Sequence, residues 1–336
     1  MDTRTVYILA GVPGGKKRGH GKSRCIRRLR SCRVVRRLGG SSRRIGRGLL
    51  CWKTEMANQS CSLDLILCAH LLRKVDAELI DLLRSLAPGE WDLQTIAPLW
   101  KVRDVAAHLL DTALRKLSMV RDSCFVEAVE IGSPEGLIAL VNRLNREGVT
   151  VFRRLSPPVL IDMMKAACEQ SADFHESLDP FAPAAFAVSW AGEERSLNWF
   201  DTARELTERW HHQEQIRLAA NRPGLMNPEL YHPVLDCFLR GLPHACRDVD
   251  APAGTAILVE ISGDCGGRWF LSKGDAKWAL VKESVGSFAC RVTIPQELAW
   301  RLFTKGIDRH SARSQVRIEG NRELGESILH LTAIVG

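Results

Sequence analysis

The sequence predicts a chain of two unlike parts, an α part built as an antiparallel four-helix bundle and a smaller α+β domain after it. Three observations point there. Across residues 60–222 apolar side chains recur at threes and fours, the period of helices with one buried side. From about residue 255 the period shortens to brief β-rich stretches separated by turns that hold glycine or charge. Between the two regimes lies Asn221-Arg-Pro223-Gly224, a linker signal.

The elements follow in order. A first helix is expected over 62–85, with Ser62 as its N-cap and Pro88-Gly89 beyond its end. His70 falls in its apolar stripe and reads as a hydrogen-bonded packing residue. A second helix runs from 102 to 124, with Val102, Val105, Leu109 and Ala113 on its apolar side. His108 lies off that side, with Asp104, Asp111 and Arg115. Periodicity alone makes this a solvated charged face, and a functional role would need a polar pocket between helices. Ser133-Pro134-Glu135 opens a third helix to about 155. Ser156-Pro157-Pro158 breaks it, and a further helical piece continues to 176. After a loop with Trp190-Ala-Gly192, Asn198 or Asp201 starts the last helix of this part. Residues 223–336 form the second part. There 227–246 reads as a helix interrupted near Gly241-Leu-Pro243. Strands are expected at 255–261, 267–272, 277–282 and 289–294, a helix at 295–303, a last strand at 315–319 and a closing helix at 324–335.

Composition narrows the class. The 336 residues leave room for two domains, and 45% hydrophobic content supplies real cores. The eleven cysteines include no Cys-x-x-Cys pair. That pattern excludes a zinc knuckle and a disulfide framework, and suits free thiols in the cytoplasm. No apolar run nears the roughly 18 residues of a membrane span, so no membrane partner is expected. The net charge of +8 misleads about the body. Residues 1–55 hold 16 Lys and Arg against Asp2 and Glu55, whereas 56–336 hold 31 basic and 37 acidic residues. The basic stretch has little to bury and is expected to be disordered. As a real arm it would bind nucleic acid through phosphates; its arginine richness also suits a transit peptide. Its Gly21-Lys22-Ser23 is not a phosphate loop, because Lys16 stands where glycine is needed. The abrupt change at Met56 favours a true start there and a non-native extension before it.

The chemistry concentrates in Glu205-Leu-Thr-Glu208-Arg-Trp210-His211-His212-Gln-Glu-Gln215. Glu208 and His212, four apart on a helix, are one turn from each other and can share a divalent metal. His108, in Trp100-Lys-Val-Arg-Asp104-Val-Ala-Ala-His108-Leu, is the best third ligand. His211 is the alternative to His212. Two His and one Glu leave a coordination position open, the catalytic type of site. Glu-x-x-His is also half of a di-iron bundle site, but no second copy is found.

Trp100-x-Val-x-Asp104-Val-x-x-His108-Leu, followed about a hundred residues later by Glu208-x-x-x-His212, resembles the metal-binding bundle of mycothiol-dependent maleylpyruvate isomerases, within the DinB-like superfamily. The late Val-x-Ile-x-Gly320-Asn-x-x-Leu is similar to the sterol-carrier-like domain that accompanies the bundle in that family. The resemblance implies that His108, Glu208 and His212 bind a divalent metal, zinc by preference. It also implies mycothiol or another low-molecular-weight thiol as cofactor and a small-molecule substrate. A thiol activated by the metal would add to a double bond and, after rotation, leave again. The family often has Asp three residues after the second His, where this chain has Gln215. A basic residue of the second domain would help hold a dicarboxylate; Arg268, Arg291 and Arg301 are candidates by type. The competing class is a non-enzymatic small-molecule-binding protein with a vestigial metal site, which Gln215 and the off-stripe position of His108 favour.

Overall fold

The computed structural model of the protein describes residues 63–125, 133–283 and 286–334. The basic stretch and the expected cap Ser62 lie outside these. Five helices make up the first part: α1 (Leu71–Ser85), α2 (Val102–Lys116), α3 (Pro134–Phe152), α4 (Pro157–Ser177) and α5 (Asn198–Ala219). The Ser133 hydroxyl caps α3 by accepting from the Gly136 amide, and Pro157 takes the first position of α4, where its missing N–H costs nothing. α2 runs on into a single π-helical segment, Leu117–Arg121. α1 starts later than the apolar period suggests. Residues 64–68 are neither helix nor strand, Ile66 and Cys68 being buried in the core. His70 is therefore at the N-terminus of α1 and exposed, not a packed residue of its apolar stripe.

The helices α1, α2, α4 and α5 enclose one core, in which Leu79, Leu83, Val105, Leu110, Met164 and Ile216 are almost wholly buried. α3 packs on α2. Contact there is close because residue 148 is glycine: a Cβ on it would stand 2.1 Å from the Asp111 Cγ.

The second part opens with α6 (Pro228–Leu239) and the short α7 (Leu242–Ala245), the break falling at Gly241-Leu-Pro243 as the sequence indicates. Five strands follow: β1 (Ala256–Ser262), β2 (Gly267–Lys273), β3 (Trp278–Val281), β4 (Cys290–Pro295) and β5 (Arg317–Gly320). They form one sheet in the order β3-β2-β1-β4-β5. β1 and β4 are parallel, with Val259 opposite Val292, and the other pairs are antiparallel. β1 reads Ala-Ile-Leu-Val-Glu-Ile-Ser and is buried along nearly its whole length, as a central strand should be. α8 (Gln296–Phe303) follows β4 directly, α9 (Arg309–Arg313) is capped by Asp308, and α10 (Arg322–Ile328) by Asn321. The closing helix is shorter than 324–335. After Ile328 the apolar residues Leu331 and Ala333 are buried as non-helical chain, the Ala333 amide donating to the Phe303 carbonyl.

The two parts are not separated by the linker. One core runs from Ile66 and Val75 through Phe200, Leu206 and Trp210 into Tyr231, Phe238 and the sheet. Among the described residues no helix is long and apolar enough to cross a membrane.

Candidate metal centre

α2 and α5 lie side by side and bring His108, Glu208 and His212 together. One ligand atom from each lies within 4.8 Å of the other two. The His212 Nε2 is 3.5 Å from a Glu208 carboxylate oxygen, and the His108 and His212 rings meet edge to face at 4.6 Å. Trp100, just before α2, covers both rings, at 4.6 Å from His108 and 5.8 Å from His212. His108 is only 4% exposed, so its side of α2 is not the solvated face that periodicity suggests. It points into a cavity of about 1840 Å³ walled by α2, α3, α5 and the loop after α8.

The hydrogen bonds around the group set the tautomers. His212 Nδ1–H donates to Gln215 Oε1 at 2.9 Å, which leaves the Nε2 lone pair toward Glu208. Gln215 thus serves where the resemblance led us to look for Asp. His211 Nδ1–H donates to the Thr207 carbonyl at 2.8 Å, and His211 is not part of the converging group. His108 Nδ1 is buried and has no hydrogen-bond partner.

Burial pushes His108 well below the ordinary imidazole value, and the neighbouring His212 adds to this. Burial and His212 likewise lower His211, to about 3. Burial alone would raise Glu208. The groups around it, His212 first and the cation of Arg204 among them, outweigh this and hold the carboxyl below its usual range. A proton-free His108 beside an ionised carboxylate is what a divalent cation requires. One ligand atom each from His108, Glu208 and His212, converging within 4.8 Å, therefore suits a mononuclear ion with room left on it.

The second part reaches the cavity through Thr304, Lys305, Gly306 and Ile334, not through the arginines that the sequence offered. Arg268 pairs with Glu260 on the sheet, Arg291 is exposed on β4, and Arg301 donates back to the Glu297 carbonyl. Lys305 has a φ of 59°, rare for a residue with a side chain. Nothing in the local sequence marks it, because the left-handed turn comes from how α8 ends. Lys116, Arg204 and Arg209 were also missed, since a charge on a helix reads as solvated until its neighbours are known.

A helical part joined to a small five-stranded mixed sheet, with a His-Glu-His group in a cavity to which both contribute, defines a class of two-part proteins with a candidate mononuclear metal centre. Residues 72–217 match the family model described as the mycothiol maleylpyruvate isomerase N-terminal domain. Solved structures similar to the chain include the mycothiol-dependent maleylpyruvate isomerase, at 12% identity over 71% of this chain and 88% of that one, with a TM-score of 0.45. A histidine-to-alanine mutant of it gives 11% identity over 76% and 93%, with a TM-score of 0.48. A ubiquinone synthesis protein, UbiJ-SCP2, is 14% identical over 23% of this chain and 67% of its own, with a TM-score of 0.19. No curated protein matches the chain.

Proposed function

We propose that the protein is a metal-dependent enzyme that uses a low-molecular-weight thiol to isomerise, or transfer the thiol to, a small anionic electrophile. The observation that carries this reading is the convergence of His108, Glu208 and His212 within 4.8 Å on the wall of a large cavity. The family model that the helical part matches supports a thiol of the mycothiol kind and maleylpyruvate as a substrate type. We read α1, α2, α4 and α5 as the DinB-like bundle and the five-stranded part as sterol-carrier-like. The seven described cysteines are all free, which suits a reducing cytoplasm.

A divalent ion, zinc for a two-His, one-Glu set, would supply Lewis acidity that lowers the pKa of a thiol or water beside it. The chain's own residues do the rest. Gln215 fixes the His212 ring, and Trp100 keeps water from one side of both imidazoles. Of the basic side chains on the cavity wall, Arg115, Lys116, Arg153, Arg204 and Arg209 are paired with carboxylates, so Arg146 and Arg195 are the candidates for holding a carboxylate-bearing substrate. The vestigial-site alternative loses both of its supports, because His108 is buried in the cavity and Gln215 has a defined partner.

Metal analysis of the purified chain after exposure to zinc tests this. The expected result is about one tightly held ion per chain, lost in His108→Ala and His212→Ala. Thiol-dependent isomerisation of maleylpyruvate should disappear with the ion. A wild-type chain that retains no stoichiometric metal sinks the proposal.

A further inference from the structure

α3 carries an apolar stripe that neither hydrophobic core of the described residues receives. Leu137, Leu140, Val141 and Leu144 recur at threes and fours along it, the spacing of one helical face. Such a face ordinarily packs on a core. Here none of the four is buried, and none belongs to either core or packs against one. All four instead line the cavity that holds the His-Glu-His group. Single apolar side chains on a surface are ordinary, but a contiguous stripe along a cavity wall marks a place where something apolar is received.

The position of the stripe follows from how α3 is fastened to α2. Arg115 donates to Asn145 at 2.8 Å, Gly148 lies against Asp111, and Arg153 pairs with Asp104 at 3.2 Å. Numbers fall along α3 as they rise along α2, so the two helices are antiparallel. Leu144 to Leu137 therefore run beside α2 from about Arg115 onward, into the segment Leu117–Arg121. The stripe begins roughly 10 Å along the α2 axis from His108, at 1.5 Å per residue. Met119 and Phe186 line the same cavity, and the Lys116 ammonium, 5.4 Å from the centre of the Phe186 ring, places that ring beside this stretch of α2. The metal centre is thus at one end of the cavity, and an apolar arm extends from it along α2.

We propose that this arm receives an extended apolar body of the electrophile, so that the preferred substrate is an unsaturated carboxylate with a hydrocarbon or aryl tail. This deepens the thiol-using reading above and rests on it. A small dicarboxylate such as maleylpyruvate would leave the stripe facing water, whereas a tail laid along it takes apolar area on both partners out of water. Contacts remote from the reacting carbon also favour turnover, because they hold the double bond at the centre. The step itself balances: the thiol adds across the double bond, the carbon–carbon bond, now single, rotates, and the same thiol and proton leave.

The full, zinc-loaded chain is assayed with mycothiol and a series of cis-4-oxo-2-alkenoates, which share one reactive head and lengthen only in the alkyl tail, from methyl to heptyl. The kcat/KM for isomerisation should rise about threefold per methylene until the arm is full. Leu140→Ser and Leu144→Asn should each cut the ratio of longest to shortest tail by at least about fivefold. Val151→Ser changes an exposed residue of α3 outside the cavity and should leave that ratio within about twofold. Calorimetry with the saturated alkanoates from butanoate to decanoate, which bind without reacting, reads the arm apart from the chemistry; affinity should rise with tail length and fall in the same two variants. Melting curves identify a stripe variant that fails to fold, and the other then carries the test. A flat series of either kind, a rise that survives both stripe substitutions, or one lost equally in Val151→Ser overturns the arm and leaves the thiol-using function standing. Isomerisation of no member overturns that function, and the alkanoate series then decides the arm alone.

Discussion

His212 can present one ring nitrogen to a cation, and Gln215 decides which. With Nδ1–H donating to Gln215 Oε1, the free lone pair is on Nε2, beside Glu208. An amide does this with less electron donation than a carboxylate, because the bond is not charge-assisted. Gln215→Leu should therefore lower zinc affinity about ten- to a hundredfold, the usual effect of losing such an orienting partner. Gln215→Glu should at least restore it. Competition against a chromophoric chelator measures both, and an unchanged affinity in the Leu variant would mean that packing alone orients the ring. The spacing of Glu208 and His212 is legible from the sequence, but the choice of nitrogen is not, since it depends on a rotamer three residues on. A second histidine speaks to stability. Burial, over the opposing pull of Glu205, lowers His175 from the ordinary 6.5 to about 4; Lys116 and Arg209 lower it further, and Asp201 pulls the other way. Between those values the unfolded chain binds a proton that the folded chain does not, so this stability is present above pH 6.5 and is lost as pH falls toward 4. His175→Gln should reduce the slope of unfolding free energy against pH in that window by about one proton. An equal slope in both proteins would refute the assignment.

At the scale of the element, α5 explains most of what periodicity concealed. Seventeen of its 22 residues are buried, polar ones included, because other elements surround it. A helix enclosed on all sides has no solvent face and hence no clean apolar stripe. Its polar residues are satisfied by partners far along the chain. Lys116 reaches Asp201 at 2.6 Å, Gln213 donates to the Val75 carbonyl, and Arg209 joins Asp76, Glu205 and Ser171. These pairs cannot be foreseen from either segment alone, whereas the helix itself follows from its formers and the absence of Gly and Pro. The closing stretch shows the converse: Leu329, Leu331 and Ala333 suggest a continuing helix, yet buried non-helical chain uses the same residues. Arg209→Ala would leave Asp76 and Glu205 buried without their cation and should cost about 3–5 kcal/mol. Urea unfolding measures it, and a loss below about 1 kcal/mol, the level of an exposed pair, would show that water reaches the carboxylates.

For the whole molecule the question is whether the linker at Asn221-Arg-Pro223-Gly224 divides two independent folding units. The composition suggests so, but the packing argues otherwise. Trp210 of α5 stacks on Tyr231 of α6 at 4.1 Å and nearly parallel, and meets Trp300 of α8 edge-on at 6.1 Å. The Tyr231 hydroxyl then donates to the Gln296 carbonyl, tying α6 to the start of α8. Glu214 accepts from the Leu225 amide across the linker itself. A cut at 222 would bare the indole of Trp210, which is wholly buried in the intact chain, together with the apolar neighbours that share its core. Burial of one such aromatic contributes about 3–5 kcal/mol when it is removed to alanine, a sizeable share of the whole stability of a domain. The chain should accordingly unfold in one transition, followed equally by tryptophan fluorescence and far-ultraviolet circular dichroism. A fragment of residues 56–222 should be less cooperative and bind hydrophobic dyes that the full chain excludes. Two resolved transitions, or a fragment as stable as the parent, would restore the linker as a true boundary, and the cavity would then be a seam between two movable bodies.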